Sequence, residues 1–268
     1  MEQFSLFDDS HKGNLLYHYT SLNNAISILS TRSLLFNQLN KLNDMNESWR
    51  PIYSSCLDND VIEACDKELS SYTQISLTCD DNPETTEPRR GFDIATMWGH
   101  YAENGDGICL VLNKENLLEI VSKNPNCYSG YVHYKVDYDC AVIFKSKSPK
   151  EELIQHLSEL FFCKSAQWSY EQEFRIIKRQ SGIVDFIDIS SCIEAVIYAK
   201  LGASRDESIY NTRGHWALEK VCGDIPMYGY NPRDLSGNRT IYRDSTGEEE
   251  WSSGVIIDWY KGDWQIDL

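Results

Sequence analysis

Residues Lys164 to Lys178, KSAQWSYEQEFRIIK, constrain the fold more than any other stretch. Read as a strand, they alternate Phe174 and Ile176 with Glu171, Glu173, Arg175 and Ile177. Successive side chains of a strand point to opposite faces, so Glu171, Glu173 and Arg175 share one face about 6.5–7 Å apart. Two carboxylates and a guanidinium are costly to bury for folding alone. Either this face is the solvated side of an edge strand, laced by weak ion pairs, or it lines a cleft whose walls come from the rest of the chain.

The remaining elements predict one α+β domain. Leu15-Leu16-Tyr17-His18-Tyr19 is a short apolar strand that runs into Thr20-Ser21, a helix N-cap. Leu22, Ala25, Ile26 and Leu29 then follow at helical spacing. His18 therefore stands at a strand end, just before a helix. Ser33–Leu39 reads as a second strand, and Asn43 to Glu47 as a polar turn. Asp60 and Glu63 form a capping box for the next helix. Residues 74–79 alternate as a half-buried strand, and 80–90, with Pro83 and Pro88, read as an exposed loop.

A short helix over 92–103 carries Met97, Trp98 and Tyr101 and stops at the turn Asn104-Gly105-Asp106-Gly107. The continuous apolar run from Ile108 to Leu112 has the character of a central strand. Residues 128–138 alternate as one strand. Ser148-Pro149-Lys150-Glu151 opens a helix with Leu153, Ile154, Leu157, Leu160 and Phe161 on its buried stripe. A buried strand over 193–199, a helix over 206–222 and a strand over 225–230 complete a core of about 15–230. Residues 231–268, with Trp251, Trp259 and Trp264, form a C-terminal extension packed on the body, all within a single domain over 1–268.

Charge and cysteine usage narrow the function classes. A net charge of −16 disfavours a broad nucleic-acid surface but leaves room for a local groove. The nine cysteines make no C-x-x-C pair, so free thiols in a reducing, cytoplasmic setting are expected. No signal-peptide pattern and no run of 18 apolar residues is present, so no membrane partner is expected. His18, His100 and His133 lack metal-ligand spacing, and no phosphate-cradling glycine loop occurs. No metal is expected.

Four motifs carry a resemblance to a known family: Leu16-Tyr17-His18-Tyr19-Thr20-Ser21; Asn43-Asp44 with Glu47; Trp98 with Tyr101-Ala102; and Lys164, Trp168, Glu171, Glu173 and Arg175 in a K-x-x-x-W-x-x-E-x-E-x-R register. The chain resembles the DUF2971 family over roughly residues 15 to 200, departing at Met45, where the family often has proline. More remotely it resembles the His-Tyr-Glu type of ADP-ribosyltransferase, including DarT-like toxins. That resemblance implies a split, mostly antiparallel sheet with flanking helices around one cleft. It implies NAD as a substrate consumed, and a protein or nucleic-acid acceptor. It implies catalytic roles for Glu173, Glu171, His18 and Tyr101, and NAD-binding roles for His18, Tyr19, Thr20, Tyr101 and Arg175. In these roles His18 and adjacent backbone hold the nicotinamide ribose and carboxamide, Tyr101 stacks on the ring, Glu173 binds the ribose 2′-OH and Glu171 is the second carboxylate. Arg175 either holds the pyrophosphate or pairs with one of the two glutamates. The implied role is a toxin or phage-conflict effector. A non-catalytic binding protein that keeps the pocket and a plain NAD glycohydrolase are the alternatives.

Overall fold

The computed structural model describes residues 13–38, 52–53, 58–83, 85, 89–124, 126–135, 143–144, 148, 151, 155–180, 184–199, 213–231, 240–243 and 249–252. In chain order the strands are β1 (Leu15–Thr20), β2 (Ser33–Leu35), β3 (Asn37–Gln38), β4 (Ile52–Tyr53), β5 (Tyr72–Cys79), β6 (Ile108–Asn113), β7 (Cys127–Tyr131), β8 (His133–Lys135), β9 (Ile143–Phe144), β10 (Cys163–Ser165), β11 (Glu173–Arg179), β12 (Phe186–Asp188), β13 (Ile193–Ala199), β14 (Met227–Asn231), β15 (Thr240–Arg243) and β16 (Glu249–Ser252). The helices are α1 (Leu22–Thr31), α2 (Asn59–Ser70), α3 (Ala95–Tyr101), α4 (Lys114–Ser122), α5 (Leu157–Phe161) and α6 (Arg213–Cys222). The architecture is α+β.

One large sheet runs β16-β15-β14-β13-β6-β1-β5-β11-β7, with β3 added on β5. Its pairings are antiparallel except β13 with β14. Short two-stranded pairs join β10 to β8, β12 to β2 and β4 to β9. The centre is buried on both faces, which explains the unbroken apolar run of β6. Cys109 and Val111 pack with Tyr17, Tyr19, Trp98 and Tyr230 on one face. Ile108 and Leu110 pack with Ala25, Leu29 and Leu218 of α1 and α6 on the other. Beyond β1, Ile75, Leu77, Phe174 and Ile176 meet Leu117 and Val121 of α4.

The sheet opens next to β1. That strand pairs with β6 along its whole length, but with β5 only at Leu16↔Cys79 and Tyr17↔Thr78. Further along the same edge of β5, β3 pairs at Asn37↔Gln74 and Gln38↔Thr73. Between those two pairings this edge has no strand partner among the described residues.

Several expectations need correction. The stretch from Lys164 to Lys178 is not one strand: β10 is followed by a 3₁₀ turn over Ala166–Glu171, then Gln172 in the left-handed region (φ 47°), then β11. Nor is β11 a solvated edge, because it lies between β5 and β7. The strand expected over 128–138 breaks at Val132, whose N–H turns to Glu173 O at 3.0 Å. This frees His133–Lys135 to run parallel to β10. The N-cap of α2 is Asp58 and not Asp60, and it makes no side-chain cap bond. The segment expected as an exposed loop after β5 begins with buried Asp80 and Asn82. Residues 39–51, most of 149–154, 201–212 and 253–268 lie outside the described residues, and with them Asn43 to Glu47, Trp259 and Trp264.

Candidate functional site

The opening between β1 and β5 leads into a cleft of about 820 Å³, within the range of small-molecule sites. His18, Tyr101, Glu171 and Glu173 all line it, together with Lys164 and the β5 residues Gln74 to Thr78. Three segments far apart in sequence therefore meet at one cavity.

The termination of β1 places His18. Ser21 caps α1 by accepting the Asn24 N–H at 3.2 Å, so the chain turns into helix two residues after Tyr19. The Cys79 N–H points to Gln172 O; by the two-residue alternation of a strand, the backbone groups of Ser76 point the other way, towards the opening. The ring of half-buried His18 hydrogen-bonds to this Ser76 backbone. Burial lowers its pKa to about 4, against the weaker upward pull of that bond. His18 is thus a neutral imidazole at neutral pH, able to donate through one nitrogen and accept through the other.

Glycine packing places Tyr101. A Cβ on Gly107 would lie 2.4 Å from Thr20 O and 2.7 Å from the Ala102 backbone. Only glycine allows the end of α3 to come this close to the end of β1. Tyr101 then donates its hydroxyl to Glu171 Oε1 at 2.6 Å.

The two carboxylates belong to a buried quartet. Lys164 Nζ lies 2.6 Å from Glu171 Oε2 and 3.5 Å from Glu173 Oε2, with Trp168 over it at 4.7 Å. Arg175 forms a two-pronged pair with Glu173, Nε to Oε1 at 2.7 Å and Nη2 to Oε2 at 2.8 Å, while Nη1 donates to Phe161 O at 2.8 Å. Two anions and two cations balance, which is what makes their burial tolerable. The balance is uneven within the pair. Burial raises the Glu173 carboxyl, but Arg175 and Lys164 outweigh it and hold it at about 2. Glu171 is driven upward by burial and by the Glu173 charge, and Lys164 and Tyr101 only partly offset this. Two adjacent carboxylates with divergent pKa values are the usual mark of separate acid–base roles.

Of the expected NAD-binding groups, Tyr19 and Thr20 also border the cleft. The Tyr19 hydroxyl turns into the core, donating to Gly91 O at 2.6 Å, and its ring meets Trp98 edge-on. Arg175 is 0% exposed and sits behind Glu173, so it cannot grip a pyrophosphate in the cleft; pairing with Glu173 is its role. Trp168 covers Lys164. Sequence reasoning missed Ser76, which hydrogen-bonds to Glu173, and the bridging position of Lys164. The alternation of polar Gln74, Ser76 and Thr78 with apolar Ile75, Leu77 and Cys79 was the signal for the former. Among the described residues no group of three or more His, Cys, Asp or Glu side chains is arranged to hold a metal ion, and no helix is long and apolar enough to cross a membrane.

No curated protein and no solved structure matches this chain. A family model described as a protein of unknown function, DUF2971, matches residues 97–176. That match supports the DUF2971 family over the segment that supplies Tyr101, Lys164 and the Glu171–Glu173 pair.

Proposed function

We propose that the cleft binds NAD and cleaves its nicotinamide–ribose bond, passing ADP-ribose to a protein or nucleic-acid acceptor in the manner of a His-Tyr-Glu ADP-ribosyltransferase. The observation that carries this reading is the convergence of His18, Tyr101, Glu171 and Glu173 on one cavity, with the two carboxylates held in different protonation regimes. In the reaction the bond from ribose C1′ to the nicotinamide nitrogen breaks. Its electron pair stays on the departing ring, which leaves neutral and needs no acid. Positive charge grows on the ribose, and ionised Glu173 stabilises it as fixed carboxylates do in glycoside cleavage. The acceptor nucleophile bonds to C1′ and gives its proton to Glu171, whose raised pKa suits a general base. His18 and the backbone at the end of β1 hold the nicotinamide riboside, and the Tyr101 ring lies against the nicotinamide. On this reading the protein acts as a toxin or phage-conflict effector.

A second reading rests on a specific observation. Each oxygen of Glu171 and Glu173 already has a donor from the protein, an arrangement that suits a binding pocket without chemistry. Incubation of the full chain with NAD labelled in the nicotinamide, with protein and nucleic-acid acceptors, separates the two. Release of nicotinamide, reduced about 10²–10⁴-fold in Glu171→Gln, supports the transferase; release without acceptor labelling identifies a glycohydrolase. NAD recovered intact under every condition sinks both catalytic readings and leaves the binding protein.

A further inference from the structure

The cleft floor carries a hydrogen-bond chain with one open end. Ser76 Oγ lies 3.0 Å from Gln74 Nε2, and Ser76 hydrogen-bonds to the Glu173 carboxylate. Chemistry fixes the direction of the protons. Ionised Glu173 only accepts, so the single hydroxyl proton of Ser76 goes to it. Ser76 must then accept from Gln74, which turns the amide NH₂ towards Ser76 and the amide oxygen away. Among the described residues that Oε1 has no hydrogen-bond partner, although Gln74 is 2% exposed and borders the cleft. A buried acceptor in this state calls for a donor.

An apolar lip stands at the same end. Asn37 pairs directly with Gln74, and Leu35, two residues earlier, pairs with Phe186. Leu35 and Phe186 are 42% and 57% exposed, and both border the cleft. Large apolar side chains left open beside an unmet acceptor suit a flat ring with a polar edge.

We propose that this end of the cleft is a subsite for a 6-aminopurine, whose exocyclic amino group donates to Gln74 Oε1 while its ring rests on Leu35 and Phe186. A 6-oxopurine would set oxygen against oxygen there. The inference rests on the proposed NAD site only in joining the two ends of one ligand, adenine at Phe186 and nicotinamide at Tyr101.

Calorimetric titration of the full chain with adenosine monophosphate and with inosine monophosphate tests it without any turnover. The amino ligand binds roughly tenfold more tightly or better. Gln74→Met brings the two to about the same affinity, and Phe186→Ala weakens both equally. Equal affinities in the wild type, no binding of either nucleotide at millimolar concentration, or a preference that survives Gln74→Met overturns the proposal. The wild-type comparison stands even where a variant fails to fold. An amino preference without nicotinamide release keeps the subsite and removes the transferase; equal cleavage of NAD and its hypoxanthine analogue does the reverse.

Discussion

Two buried carboxylate–arginine clusters flank β5, and they differ in what they face. At the end of β5, Asp80 accepts from the Tyr17 hydroxyl at 3.1 Å and the Gly91 N–H at 2.6 Å, with Arg90 Nε at 3.3 Å. Neither Asp80 nor Arg90 borders the cleft; their contacts tie the segment after β5 to the core. Across the strand, Glu173 holds Arg175 with two prongs, has Lys164 nearby and opens on the cavity. The ingredients are alike and the outcomes are opposite. Burial raises the Asp80 carboxyl beyond what Arg90 can offset, whereas two cations hold Glu173 at about 2. Burial alone does not set a carboxylate's state; the number and geometry of its cations do.

The largest expected effect breaks the stronger cluster. Arg175→Met leaves Glu173 buried without its main partner and costs about 3–5 kcal/mol of stability. Arg90→Met leaves Asp80 with a hydroxyl and a backbone donor, and Asp80 can protonate, so the cost falls to about 1–2 kcal/mol. Urea unfolding at neutral pH measures both. Glu173→Met/Arg175→Met recovers most of the loss, because it removes the charge together with its partner. Equal costs for the two single variants would show that the clusters do not differ as described.

The same contrast explains what was legible in the sequence. Apolar periodicity located β1, α1, β6 and β13, because each has a continuous or helically spaced core face. Glu171, Glu173, His18 and Tyr101 were singled out by the family resemblance, and all four line the cleft. The kink at Gln172 was not legible, since a glutamine rarely occupies the left-handed region. Here three side-chain bonds, from Arg89 N–H to Oε1 and from Nε2 to Cys79 O and Arg89 O, hold it in place. The burial of Arg175 was hidden for a related reason. A charged residue on a strand reads as solvated unless its partners are known, and one partner of Arg175, Phe161 O, comes from a separate element. Asp80 read as the start of an exposed loop, because its partners Tyr17, Arg90 and Gly91 give no periodic signal.

A smaller effect appears in acid. His18 titrates at about 4 in the folded protein and at about 6.5 in the unfolded chain. Below pH 6.5 the unfolded chain takes a proton that the folded protein refuses. Stability is therefore lost as pH falls from about 6.5 to 4, by up to about 3 kcal/mol. Glu173 adds its own loss at lower pH, between the ordinary glutamate value and about 2. Asp80, with its raised pKa, works in the opposite direction, its contribution present in acid and fading as pH rises. Unfolding followed from pH 7 to pH 4 shows the His18 slope, and His18→Gln flattens it while Asp80→Asn does not. An unchanged slope in His18→Gln would place the loss elsewhere.

The finest distinction lies between two tyrosine hydroxyls. Tyr101 and Tyr17 each donate to a buried carboxylate, Glu171 and Asp80 respectively. If Glu171 is the base, nicotinamide release rises with pH as Glu171 ionises, at a pH above the ordinary glutamate range. Tyr101→Phe keeps the ring proposed to lie against nicotinamide but removes a bond that favours the ionised form. The rising limb then moves up by about half a unit to one unit, the equivalent of one net hydrogen bond of about 1 kcal/mol, with KM little changed. Tyr17→Phe removes the matching bond in the other cluster and leaves the limb where it was. A limb that shifts with Tyr17 and not with Tyr101 would mean that the cluster tied to the core, and not the one on the cavity, sets the chemistry.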